Sequence, residues 1–370
     1  MKGFQEIAAA VQALPEPAAL ATLARIRGSS YRQPGARMVF DRSGIRAGVI
    51  SAGCLETDIL ARVQAVLEGR GPHLASYDLG SELDLVWGTG MGCQGRADVL
   101  LERVEPGAPP RWLALAAELV RARRAGALAT VFEARGETGG VAAGDHFLLD
   151  PGGPGLPPGP GPFAAALGEA LATARHAGAT ATPTLSTDQG ELEVLVEPVR
   201  PRYALWIYGA GEHARPLARM ASELGWFVGL VDHRPALATP ERFPWVDRIV
   251  LGHPPAVLAG LALDGRTAAL VVSHVYEKDL RALEALLPTP VAYLGLQGNR
   301  LRSRRLLKDL AEAGLDPAGP DGRKLHFPAG LDIGAESPEV IALAMLAEVQ
   351  AVFAGRPGGH LRDRAGAIHG

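Results

Sequence analysis

The chain has 370 residues, 47% of them hydrophobic and 21% charged, with a formal net charge of −3. That balance suits a globular protein with room for two domains and argues against a nucleic-acid or anionic-membrane footprint. No apolar run reaches the ~18–20 residues that span a bilayer. The only two cysteines, Cys54 and Cys93, exclude a disulfide-rich secreted scaffold and leave no CxxC zinc pair.

Phe4, Ile7, Ala8, Val11 and Leu14 fall at helical spacing without the long apolar core of a signal peptide, so a first helix and a cytoplasmic location are expected. ALATLARIRG (19–28) reads as an apolar strand, and RMVFDRSGIRAGVIS (37–51) as a hairpin turning at Asp41–Gly44. In CLETDILARVQAVLEG (54–69), Leu55, Ile59, Val63, Val66 and Leu67 form one stripe, which predicts a helix ending at Gly69. The glycine-rich turn WGTGMGCQGR (87–96) leads into a strand at 97–104. A helix at 111–124 and strands at 127–134 and 141–149 follow.

Residues 151–162 are all glycine or proline except Leu156, which predicts a loop rather than a regular element. ELEVLVEPV (191–199) reads as a strand returning to the first sheet. The domain boundary is expected near 200, giving a mixed α/β domain over 1–200 and a second domain over 201–370. From 204 onward strands and helices alternate, which implies a doubly wound parallel sheet covered on both faces, closed by a helix from Pro338 to Phe353.

The second domain opens with Gly209-Ala210-Gly211-Glu212-His213-Ala214 between a strand and a helix. Gly209 allows a tight turn, Gly211 lets a pyrophosphate approach the backbone, and Ala214 permits close helix packing. Asp232 ends the next strand, where a carboxylate can accept from a ribose hydroxyl. These features predict a Rossmann-type fold with NAD(P) as a candidate ligand. Arg234 reads either as a 2′-phosphate contact or as a solvated loop residue. His274, at the end of LVVSH, lies on the ligand-binding edge and reads equally as a polar strand end.

Three segments of the first domain carry possible chemistry. Cys54 is expected in the first turn of its helix, where free N–H groups favour a thiolate, while Glu56 and Asp58 oppose it. An inert buried cysteine is the other reading. Cys93 closes GTGMGC, whose Gly90 and Gly92 suit an anion-cradling nest or an ordinary tight turn. GSSYRQPGARM (28–38) offers Arg32 and Arg37 as oxyanion forks.

Taken together, GSSYRQPGARMVF, ISAGCLETDIL and GMGCQGRADVLLE resemble the XdhC/CoxI family. So do YGAGEHARPLARMASELGWFVGLVDHRP, SHVYEKDLRALEALL, YLGLQGNRLRSRRLL and FPAGLDIGAESPEVIALAMLAEV in the second half. The resemblance implies a maturation factor for molybdenum hydroxylases such as xanthine or carbon monoxide dehydrogenase. Such a factor binds the molybdenum cofactor, as molybdopterin or its dinucleotide form. It supports sulfuration with a cysteine desulfurase and delivers the cofactor to the apo-enzyme. Carried over, it makes Cys54 a candidate metal ligand, Cys93 a second thiol contact, and Arg32 and Arg37 anion contacts, with no catalytic residue assigned.

Tyr31, Ala52, Gln94 and Tyr276 depart from the family's usual residues, which bears on ligand specificity. A homodimer is the expected assembly, with neither nucleic-acid nor membrane partners. The alternative function is an NAD(P)-dependent oxidoreductase using His274 or His213 as proton donor. A third is a docking component presenting Arg300, Arg302, Arg304 and Arg305.

Overall fold

The computed structural model describes residues 3–28, 32–51, 55–69, 71–78, 95–153, 159–258 and 260–365. The chain divides into two compact units, one over 2–201 and the other over 202–370.

The first unit begins with α1 (Gly3–Gln12), β1 (Ala18–Gly28) and the hairpin β2 (Arg37–Asp41) and β3 (Gly44–Gly48). The expected helix over 54–69 is two short helices, α2 (Glu56–Ala61) and α3 (Val63–Glu68). They part at Arg62, whose N–H bonds to the carbonyl of Ile59 and tightens the turn. β4 (His73–Asp78) and β5 (Gly95–Val104) complete a sheet in the order β3-β2-β1-β5-β4.

Next come α4 (Arg111–Arg121), β6 (Gly126–Gly136), β7 (His146–Leu149), α5 (Ala164–Ala177), β8 (Thr184–Ser186) and β9 (Gly190–Val199). Their sheet runs β7-β6-β9-β8, so β9 does not return to the first sheet as its sequence suggested. It pairs with β6 along its whole length. The strand expected over 141–149 is confined to β7, because the preceding residues turn through Gly144 at φ +89°.

The two sheets are copies of one plan. β1 (AALATLARIRG) pairs antiparallel with β5, and β6 (GALATVFEARG) pairs the same way with β9. Ala18 opposes Val104 and Gly28 opposes Gly95; correspondingly, Gly126 opposes Val199 and Gly136 opposes Gly190. Each central strand carries one bulge at the equivalent place, Leu23/Arg25 in the first and Val131/Glu133 in the second. β1 and β6 are alanine-rich, yet each is buried for seven consecutive residues. Covering both faces of a central strand outweighs alanine's helical preference.

One face of the first sheet packs on α2 and α3 through Ala21, Leu23, Ile59 and Val66. The same face of the second packs on α5 through Ala129, Val131, Leu167 and Leu171. The opposite faces meet, with Ala24 and Leu100 against Phe132 and Leu195. Polar pairs cross this seam. Arg37 on β2, opposite Thr22, reaches Glu197, and its counterpart His146 on β7, opposite Thr130, reaches Glu102 at 2.8 Å.

The second unit is a six-stranded parallel sheet in the order β12-β11-β10-β13-β14-β15. Its strands are β10 (Ala204–Tyr208), β11 (Phe227–Asp232), β12 (Arg248–Leu251), β13 (Thr267–Val271), β14 (Tyr293–Leu296) and β15 (Leu325–His326). α6 (Ala214–Glu223) and α10 (Pro338–Phe353) cover one face through Leu205, Ile207, Leu217 and Met345. α8 (Tyr276–Leu286) and α9 (Arg300–Glu312), with α7 (Pro254–Leu258) between β12 and β13, cover the other through Trp206, Leu283 and Leu306. Burial on both faces explains why β10, β11, β13 and β14 read as continuous apolar runs. Among the described residues no helix is long and apolar enough to cross a membrane.

Candidate functional site

Cys54, Cys93, Gly90 and Gly92 lie outside the described residues, but the residues that flank them are described. Gly28, where segment 29–31 begins, is paired with Gly95, where segment 79–94 ends. Asp78, where that long segment starts, is paired with Arg96. Ile50 and Leu55, on either side of 52–54, are buried in one cluster with Ala97, and Ile26 and Ala36 pack against it. The flanks of all three sequence motifs therefore converge on one end of the first sheet. In the second copy the β8–β9 connection at the equivalent end is only 187–189, closed by Thr187 against Gly190.

The start of α2 is held from inside. Ser51 donates its N–H to Glu56 at 2.7 Å and its hydroxyl to the same carboxylate, and the Ser51 Oγ accepts from the N–H of Leu55 at 3.1 Å. Burial opposes ionisation of Glu56, but these bonds outweigh it and hold the carboxyl below its ordinary range. The staple ties Ser51 to Leu55 and Glu56, the described residues on either side of 52–54. Asp58 turns outward to Arg62, at 2.9 Å.

Arg32 is exposed. Arg37 is buried, and its guanidinium grips both carboxylate oxygens of Glu197. Phe4 lies 4.7 Å and Trp112 5.3 Å from it, ring centroid to guanidinium carbon. The same group donates to the carbonyl of Gly35 at 3.1 Å. Arg37 thus serves an internal ion pair that anchors the base of the 32–36 loop, whereas the sequence suggested a direct anion contact. Its partner lies 160 positions away, beyond the reach of any local motif.

In the second unit, Gly209 has φ +121°, and a β-carbon there would come within 2.8 Å of the Ser273 backbone. Only glycine lets β10 and the end of β13 approach so closely. Gly211 faces open space, and Ala214 is fully buried beneath it. Among the described residues, nothing accepts from the N–H groups of Gly211, Glu212 and His213. This loop retains the shape and donors of a phosphate cradle.

Asp232 is differently disposed. Its Oδ2 accepts from the N–H of Ala210 at 2.6 Å and Arg234 Nη2 at 2.7 Å; its Oδ1 accepts from the Arg234 N–H and Nε, both at 2.9 Å. Burial works against its charge, but Arg234 and the two backbone donors prevail and hold the carboxyl at about 2. Beside it, His233 Nδ1 lies 3.3 Å from Asp232 and its Nε2 lies 2.6 Å from Lys278 Nζ. Desolvation and the Lys278 charge lower the His233 pKa, so its neutral ring accepts from lysine and donates toward aspartate.

His274 follows β13 with φ +61°, an uncommon conformation for a side chain with a β-carbon. Its ring stands 5.2 Å from that of His213, and His213 Nδ1 meets Gln297 Nε2 at 2.7 Å. Both imidazoles thus sit at the carboxyl edge of the sheet. Lys278, His233, His253 and Tyr208 line the neighbouring crevice and were not singled out by sequence. His233 and His253 had a signal only as residues following strand ends, Tyr208 as the last residue of β10, and Lys278, on α8, had none. Of the arginines on α9, Arg302 turns inward to Asp279 at 2.6 Å, while Arg304 and Arg305 are exposed.

Residues 205–349 match the family model described as the XdhC Rossmann domain, and residues 11–78 match that of the XdhC and CoxI family. The chain is 31% identical to a Bacillus subtilis protein described as a probable xanthine dehydrogenase subunit, over 90% of this chain and 92% of that protein. It is 24% identical to the molybdenum cofactor insertion chaperone PaoD of Escherichia coli, over 90% of this chain and 83% of the other. A crystal structure described as a xanthine dehydrogenase from Bacillus halodurans superposes with a TM-score of 0.74. It shows 27% identity, with 96% of each chain covered. By these matches the chain belongs to the XdhC and CoxI family.

Proposed function

We propose that the protein is a molybdenum-cofactor chaperone. It holds the cofactor, as molybdopterin or its dinucleotide, through sulfuration and delivers it to a molybdenum hydroxylase of the xanthine or carbon monoxide dehydrogenase type. The observation that carries this reading is the convergence of three motif flanks on one sheet end, in the copy of the repeat that carries the long connections. The connections between strands at the end of a rigid sheet are where binding residues concentrate. Cys54 and Cys93 are soft thiolate donors suited to molybdenum or to a transferable sulfur. Arg32 supplies an exposed guanidinium for the cofactor's phosphate.

The relative named as a molybdenum cofactor insertion chaperone supports the same reading. A cysteine desulfurase and the apo-hydroxylase are the partners it requires, with the chaperone acting as a cytoplasmic homodimer. The oxidoreductase alternative is weaker, because the ring nitrogen of His213 meets the amide of Gln297 and not a carboxylate that would orient it as a proton donor.

The test is the molybdenum and oxidised-pterin content after incubation with free cofactor and desalting, for wild type and Cys54→Ser. Retention by the wild type and loss in the variant are expected. If both retain it, Cys54 is structural; if neither does, the chaperone reading fails.

A further inference from the structure

A Rossmann fold implies NAD, and the second unit fits only part of that ligand. The cradle fits, since the N–H groups of Gly211, Glu212 and His213 have no acceptor among the described residues and Gly211 opens onto free space. The ribose position does not. A carboxylate offers about four lone-pair directions, and Asp232 has four donors on it within 2.9 Å. Its side chain is 2% exposed. A free ribose diol would have to donate to an acceptor that is already spent.

What the corner offers instead is donors. Arg234 binds Asp232 through Nε and Nη2, which leaves Nη1 free of that carboxylate, and its side chain is 39% exposed. Lys278 Nζ points into the same crevice from α8, held against His233, and the His253 ring stacks 4.9 Å from that of His233. The phenol of Tyr208 lines the crevice 2% exposed, and its hydroxyl has no partner among the described residues. Asp279, the other carboxylate of the lining, is taken up by Ser273 and Arg302. An aspartate that would accept from a diol has become the brace for an arginine that donates to an anion.

We propose that the Rossmann unit binds a 2′-phosphorylated nucleotide, with one phosphate on the 211–213 backbone and the 2′-phosphate at Arg234 and Lys278, and discriminates against the free diol of NAD. The test is calorimetric titration of the intact protein with 2′,5′-ADP, 5′-AMP, NADP⁺ and NAD⁺. Each 2′-phosphorylated ligand should bind at least tenfold more tightly than its 2′-hydroxyl counterpart. That preference should shrink as salt rises and vanish in Arg234→Ala. Lys278→Met, which leaves the Asp232–Arg234 brace in place, should reduce it severalfold. Equal or tighter binding of NAD⁺, a preference that survives both substitutions, or no binding of any of the four at millimolar concentration overturns the proposal. Cofactor retention is read separately, so either idea can fail without the other.

Discussion

The pair Arg37–Glu197 lies on the seam between the two repeats, and removing one partner should be far worse than removing both. The two side chains are 4% and 9% exposed, and the guanidinium is enclosed by Phe4, Trp112 and the Gly35 carbonyl. Glu197→Leu leaves a buried cation with no counter-charge, a loss of about 3–5 kcal/mol. For a unit of this size each kcal/mol moves Tm by roughly 2–4 °C, so a fall of roughly 6–20 °C is expected in scanning calorimetry. The double variant Arg37→Met/Glu197→Leu replaces the pair with apolar groups and should recover most of the loss. A Glu197→Leu protein melting within about 2 °C of wild type would refute the argument. So would a double variant no more stable than the single.

Acid should act on the second unit through Asp232. Its folded-state pKa of about 2 lies below the ordinary 3.8. Its contribution is therefore complete above about pH 4 and lost as pH falls toward 2, by roughly 2 kcal/mol at ~1.4 kcal/mol per unit. In urea unfolding at several pH values, the stability gap between wild type and Asp232→Asn should narrow across that window; a constant gap counts against the brace. Gly229→Ala should cost about 1–3 kcal/mol by overpacking, because a β-carbon there falls 2.2 Å from the buried Trp206 ring. The near-ultraviolet circular dichroism of Trp206 should change with it, and an unchanged spectrum with an unchanged Tm would show that the ring has room.

Much of this molecule was legible in the order of its residues. The glycine loop at 209–211, the strand ending in Asp232 and the alternation after 204 specify a parallel sheet because each depends on local periodicity and turn chemistry. The apolar stripe of 55–67 predicted a helical segment, and only the tightened turn at Arg62 escaped it. The repeat was also present, as ALAT in both central strands, but it becomes recognisable only when Gly28 is seen opposite Gly95 and Gly136 opposite Gly190.

Other features belonged to the tertiary structure alone. Arg37 and Asp232 were read as groups awaiting a ligand, because sequence reveals a charge but not its partner. The first is spent on Glu197, brought to it by the packing of two sheets. The second is spent on Arg234, two residues further along the same turn, and on the Ala210 N–H, brought to it by the pairing of β10 with β11. Whether a charged side chain serves a ligand or the fold depends on what lies within about 3 Å of it. For Arg37 with Glu197 and for Asp232 with Ala210, that distance is set by contacts between residues far apart in the chain, which local pattern does not encode.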